Sequence, residues 1–143
     1  HSENSHVIPA LIKRFHEAKT SNSGTVTIWG SGKPYREFLF VDDLADACIE
    51  IMSLDKANFE KFTNSLNSHI NIGYGQDITI ANLAVMISGI VGFKGKIKFD
   101  ESKPDGTPKK LLNSGMINKL GWKPKVSLHE GLEKTYLDFL ENQ

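Results

Sequence analysis

At 143 residues, 39% of them hydrophobic, the chain has material for one globular domain with a sizeable core and not for a second full domain. Lys plus Arg and Asp plus Glu number 17 each, so the formal charge is zero, which argues against a nucleic-acid surface and requires any anion site to be local. The single cysteine, Cys48, excludes an internal disulfide and a CxxC metal site and favours a reducing, cytoplasmic setting; no apolar run approaches the ~20 residues of a membrane helix, and the first residues lack signal-peptide features.

Val7, Ile8, Leu11, Ile12 and Phe15 recur at helical spacing, with Lys13, Arg14 and Glu17 on other faces. This predicts an amphipathic helix from about Ser5 to Lys19, with Pro9 tolerated in the first turn because the N–H it lacks has no intrahelical partner there. A polar loop, Ser21 to Gly24, ends it. Thr25 to Trp29 alternates as a strand, Gly30, Gly32 and Pro34 turn the chain tightly, and a helix opened by Asp42 or Asp43 follows. Trp29 and Arg36 are thereby set on either side of one turn. A guanidinium that grips phosphate in bidentate fashion, beside a flat indole, suits a nucleotide diphosphate. The alternative is that Trp29 belongs to the core and Arg36 is a solvated turn residue.

On the helix that follows, Leu44, Ala47, Cys48, Ile51 and Met52 form the expected inward face, making Cys48 a small core residue. Residues 58–67 are polar with scattered aromatics and read as a loop or short helix. His69 to Gly73 alternates like a short strand, and Gly73 to Asp77 turns into Ile78 and Thr79. Thr79 caps a helix that turns Ile80, Leu83, Ala84 and Ile87 inward and stops at Gly92. Gly73-Tyr74-Gly75 lacks the third glycine of a dinucleotide fingerprint. Lys96 to Phe99 reads as a strand, and the segment from Asp100 to Lys110, with two prolines and a glycine, as a loop. Its Lys103, Lys109 and Lys110 offer charge to a phosphate and Asp105 offers an acceptor to sugar hydroxyls, unless the run is only solvated. Ser114 is expected to cap a short helix ending at Gly121. Ser127 with Glu130 makes a capping box for a last helix with Leu128, Leu132, Tyr136, Phe139 and Leu140 inward. The order of elements gives an α/β or α+β domain: a small sheet with packed helices.

Ser5-His6-Val7-Ile8-Pro9-Ala10-Leu11, the WGSGxxxREFxxVDD stretch from Trp29 to Asp43, and Lys103-Pro-Asp-Gly-Thr-Pro-Lys-Lys-Leu-Leu112 together resemble the C-terminal part of the GDP-L-fucose synthase family. The Leu120-Gly121-Trp122-x-Pro124 tail resembles the wider group of extended short-chain dehydrogenase/reductase sugar enzymes. The resemblance covers nearly the whole chain and implies an NADPH-dependent enzyme that epimerises and then reduces GDP-4-keto-6-deoxy-D-mannose to GDP-L-fucose. It also implies roles. His6 corresponds to the family's epimerisation acid/base beside the nicotinamide, and Arg14, Trp29, Arg36, Asp105 and Lys110 correspond to residues that grip the GDP-sugar. The family's glycine fingerprint, serine and Tyr-x-x-x-Lys pair have no counterpart here, since Tyr35, Tyr74 and Tyr136 each lack a lysine four positions on.

Residues 1–143 are therefore expected to form the substrate-binding domain without the Rossmann domain, inactive alone, from a parent that is a homodimer. The missing initiating methionine fits a fragment or processed chain. The alternatives are a free-standing nucleotide-sugar binding module and a piece of another extended-family epimerase or dehydratase.

Overall fold

The computed structural model describes residues 6–142. The elements in chain order are α1 (Val7–Thr20), β1 (Thr25–Trp29), β2 (Tyr35–Glu37), α2 (Val41–Met52), α3 (Lys56–Glu60), β3 (Asp77–Thr79), α4 (Ile80–Val91), β4 (Lys96–Asp100), β5 (Lys109–Lys110), α5 (Gly115–Lys119) and α6 (Leu128–Glu141). β1 and β4 make a parallel pair, and a second sheet has the order β3–β2–β5. Two compact units share the chain. The first takes residues up to 35, 78–109 and 129 onward; the second takes 36–77 and 110–128. Among the described residues no helix is long and apolar enough to cross a membrane. The expected start of the first helix at Ser5 lies outside the described residues.

In the first unit the parallel register runs from Thr25 opposite Lys96 to Trp29 opposite Asp100. The alternation of β1 sends Val26 and Ile28 into the core and leaves Thr27 and Trp29 outside, as a period of two requires. Leu11, Ile12 and Phe15 of α1 pack with Leu83, Ala84, Ile87 and Val91 of α4, and the Phe15 and Phe93 ring centroids are 5.5 Å apart. α4 has the predicted ends: Thr79 Oγ1 accepts from Asn82 N at 3.1 Å, and Gly92 takes the left-handed conformation at φ 79°. Lys19 Nζ donates to Val91 O at 2.8 Å, placing a cation on the negative end of that helix. α6 contributes Leu132 and Tyr136, whose hydroxyl lies 3.0 Å from His16 Nδ1; Leu140, expected inward, is exposed.

The second unit gathers around Ala47, Ile117 and Trp122, with Leu39, Ile51, Ile70 and Ile72 against them. Here the structure corrects four expectations. α2 is not capped by Asp42 or Asp43: it starts at Val41, and Phe40 occupies the cap position without a side-chain bond. Asp43, only 3% exposed, instead accepts from the backbone N–H groups of Lys125 and Val126 at 3.1 and 2.9 Å. Those two donors fix the helix rotation, so Asp43, Ala47 and Ile51 point in, while Leu44, Cys48 and Met52 point out. Cys48 is thus exposed and not a core residue, and Met52 is 85% exposed. His69 to Gly73 forms no strand; Ile70 and Ile72 pack against the second unit's core without a ladder partner among the described residues. Ser114 precedes α5 but makes no cap bond, and Asn113 Oδ1 takes the Gly115 N–H at 3.0 Å instead.

Candidate functional site

The turn between β1 and β2 is built by its glycines. Gly30 and Gly32 have φ of 84° and 73°, a region L side chains rarely enter, and a Cβ at either would overlap the Asp105 carboxylate or the Phe99 ring. Backbone bonds hold the turn on several sides. Gly30 N donates to Asp100 O at 2.9 Å, Ala81 N to Gly32 O at 2.9 Å, Ile80 N to Pro34 O at 3.0 Å and Tyr35 N to Pro108 O at 2.8 Å.

On this frame Trp29 is 52% exposed, which removes the core reading of its indole. Two cations attend the ring: Arg14 Cζ lies 5.7 Å and Lys103 Nζ 5.4 Å from its centroid, within cation–π range. Arg14 also donates to Thr27 O at 3.4 Å. Lys109 Nζ lies 5.9 Å from the Tyr35 ring. A polarised, water-accessible indole beside a guanidinium can stack a flat heterocycle and attract an anion at one edge.

Asp105 has a partner that sequence reasoning missed. Its Oδ1 accepts from Ser31 N at 2.8 Å and its Oδ2 from Ser31 Oγ at 2.6 Å, latching the loop after β4 onto the glycine turn. A serine between two glycines, facing a conformationally free loop, was the available signal. The Ser31 hydroxyl, then its amide, hold the Asp105 carboxyl below its ordinary value of 3.8. A depressed folded value means that the latch is complete above about pH 4 and is lost as pH falls through the lowered value. Ser31→Ala should raise the Asp105 midpoint toward 3.8, read from its carboxyl carbon shift; an unmoved midpoint would show that the hydroxyl does not hold it.

Other predicted residues have simpler settings. His6 is exposed at the start of α1, its carbonyl accepting from Ala10 N at 3.1 Å and its ring making no cap bond. In the second unit Arg36 is half-buried on β2 and Lys110 exposed on β5, the neighbouring strand. Between them in sequence, Glu37 takes Gly75 N at 2.6 Å on one carboxylate oxygen and Leu112 N at 2.9 Å on the other. The structure therefore joins Arg14 to Trp29, ties Asp105 to the turn that follows, and sets Arg36 and Lys110 on adjacent strands. Among the described residues no group of three His, Cys, Asp or Glu side chains could hold a metal ion.

The NAD dependent epimerase/dehydratase family model matches residues 1–73, just over half of the chain. The chain belongs to that family. Within the NAD-dependent epimerase/dehydratase family it is a homologue of GDP-L-fucose synthases: the Escherichia coli GDP-L-fucose synthase is 53% identical over 143 residues, all of this chain and 44% of that protein. GDP-mannoheptose C4 reductase from Campylobacter jejuni, solved with NADP bound, superposes with a TM-score of 0.83 at 38% identity, over 97% of this chain and 46% of that one. A GDP-L-fucose synthetase from Naegleria fowleri bound to NADP gives 0.82 at 25% identity, over 99% and 42%. The chain spans less than half the length of each of these epimerase/dehydratase family members. Its mixed α/β architecture of small sheets and helices is the one those structures have over the matched portion.

Proposed function

We propose that residues 1–143 are the substrate-binding portion of an NADPH-dependent GDP-L-fucose synthase, acting on GDP-4-keto-6-deoxy-D-mannose. The observation that carries this is the half-exposed Trp29 ring attended by Arg14 and Lys103, in a chain 53% identical to a GDP-L-fucose synthase. In this reading Arg14 and Trp29 meet the nucleotide, Arg36 and Lys110 meet its phosphates, and Asp105 accepts from the sugar while anchoring its own loop. His6 moves protons at the carbons beside the ketone, which requires a group that titrates near neutrality.

NADPH supplies the hydride when bound. The glycine turn after β1 does not fit its pyrophosphate: the two left-handed glycines there face Asp105 and Phe99, which fill the space an anion would need. Its main site is assigned to the part of full-length relatives outside the match, with His6 next to the nicotinamide. The homodimer is likewise a property proposed for the full-length protein.

Calorimetric titration of the chain with GDP tests the reading. Weak binding that falls steeply with salt is expected, because contacts to phosphate at exposed cations are screened, and Lys110→Ala should weaken it by about tenfold. Equal, salt-independent affinity in both proteins would remove Lys110 from the site.

A further inference from the structure

β5, which carries Lys110, is two residues long, and the stretch that follows it, 111–114, has no regular structure. Leu111 and Leu112 are both exposed, so the two residues that directly follow the lysine bury no side chain, and the first buried one, Ser114, comes four positions after it. A backbone so thinly paired is held by whatever polar contacts it makes. The Glu37 carboxylate takes the Leu112 N–H at 2.9 Å, whereas Asn71 Nδ2 reaches Asn113 O only at 3.5 Å. The other Glu37 oxygen takes the Gly75 N–H at 2.6 Å, so one carboxylate ties β2 to two segments 38 and 75 positions away in sequence.

Gly73 gives independent evidence that room is kept for this strut. A Cβ there would stand 2.6 Å from Glu37 Oε1 and 2.8 Å from Ser114 Oγ, so any side chain would displace the carboxylate. We propose that Glu37 is a positioning residue for Lys110: by holding the Leu112 amide it fixes the end of β5 in the course that presents the lysine ammonium to the substrate phosphate. This rests on the reading of Lys110 as a phosphate contact. Glu37 itself touches no phosphate, since two anions repel, and its charge serves two backbone donors. A glutamine would keep one acceptor oxygen and turn an NH2 group toward the other N–H, where no bond can form.

The test is a titration of the 143-residue chain with GDP, followed by amide NMR, for wild type, Glu37→Gln, Lys110→Ala and the double variant. Glu37→Gln should weaken GDP about fivefold and speed hydrogen exchange at the Leu112 and Gly75 amides. The double variant should bind no more weakly than Lys110→Ala alone, because the strut acts only through that lysine. A merely structural role would instead weaken GDP by the same factor in both backgrounds, and that outcome overturns the proposal. Wild-type affinity in Glu37→Gln, with Lys110→Ala impaired, overturns it too. Lys110→Ala binding like wild type, or no binding by wild type, sinks the phosphate reading and the proposal with it. Gly73→Ala provides a second route: it leaves Glu37 in place but crowds its carboxylate, and should reproduce the faster Leu112 exchange and the weaker GDP binding; wild-type values for both count against the strut.

Discussion

In a full-length protein carrying this segment, His6→Asn should slow deuterium uptake from solvent at the two epimerised carbons by ~10²–10⁴, the usual cost of losing a general acid–base. Epimerisation removes a proton beside a ketone and returns one to the opposite face, so the group responsible must both take and give a proton near neutral pH. Histidine is the side chain suited to that by its ordinary titration range. The His6 ring is exposed and makes no cap bond to the helix it precedes. Arg14 lies two turns further along, about 12 Å by helical rise, so under the proposed function one rigid element would carry both the proton-transfer group and a nucleotide contact. Asparagine keeps the size and some hydrogen bonding but cannot carry the proton. NADPH binding should therefore change far less than exchange does. Wild-type exchange rates in the variant would return His6 to the status of a residue at the start of a helix.

Phe15→Ala should destabilise the first unit by about 3–5 kcal/mol, the range found when a buried aromatic is truncated and its space is only partly refilled. Phe15 has no accessible surface, meets the Phe93 ring, and sits where α1 packs on α4. Alanine is the best helix former, so the loss cannot be ascribed to α1 itself. Met52→Ala, on the exposed side of α2, provides the contrast and should stay within about 0.5 kcal/mol. Denaturant unfolding of the two variants measures both. A loss under about 1 kcal/mol for Phe15→Ala would mean that this core is not packed around that ring.

The elements that were legible in the sequence are those whose signal is local. α1, β1 and α4 follow from periodicity and caps within the segment itself, and Thr79 and Gly92 end α4 as their chemistry dictates. α2 is the instructive failure. Its residues support two apolar stripes one position apart, and the choice between them is made by the backbone donors of residues 125 and 126, which no window around α2 contains. Ile70 and Ile72 read as a strand because alternation reports burial on one side, yet a strand also needs a ladder partner. β2 and β5, at three and two residues, fall below what alternation can register. At the candidate site, residue types pointed to Trp29 and Arg36, the family resemblance alone pointed to Arg14, and the structure supplied the indole's exposure and its cations. The double role of Asp105 and the strut made by Glu37 were invisible because both depend on donors dozens of positions away.

That distance along the chain has a consequence for assembly over time. Ser31 and Asp105 are 74 positions apart, and residues 36–77 of the second unit lie between them. Closing so long a loop costs about 4 kcal/mol of chain entropy beyond a constant, and long-range parallel pairing of this kind folds slowly. During synthesis Arg14 and Trp29 leave the ribosome before Lys103 and Asp105, which emerge only after residues 36–77 have been made. The aromatic platform thus waits for its second cation and its latch, and both arrive from a segment made well after the ring they serve.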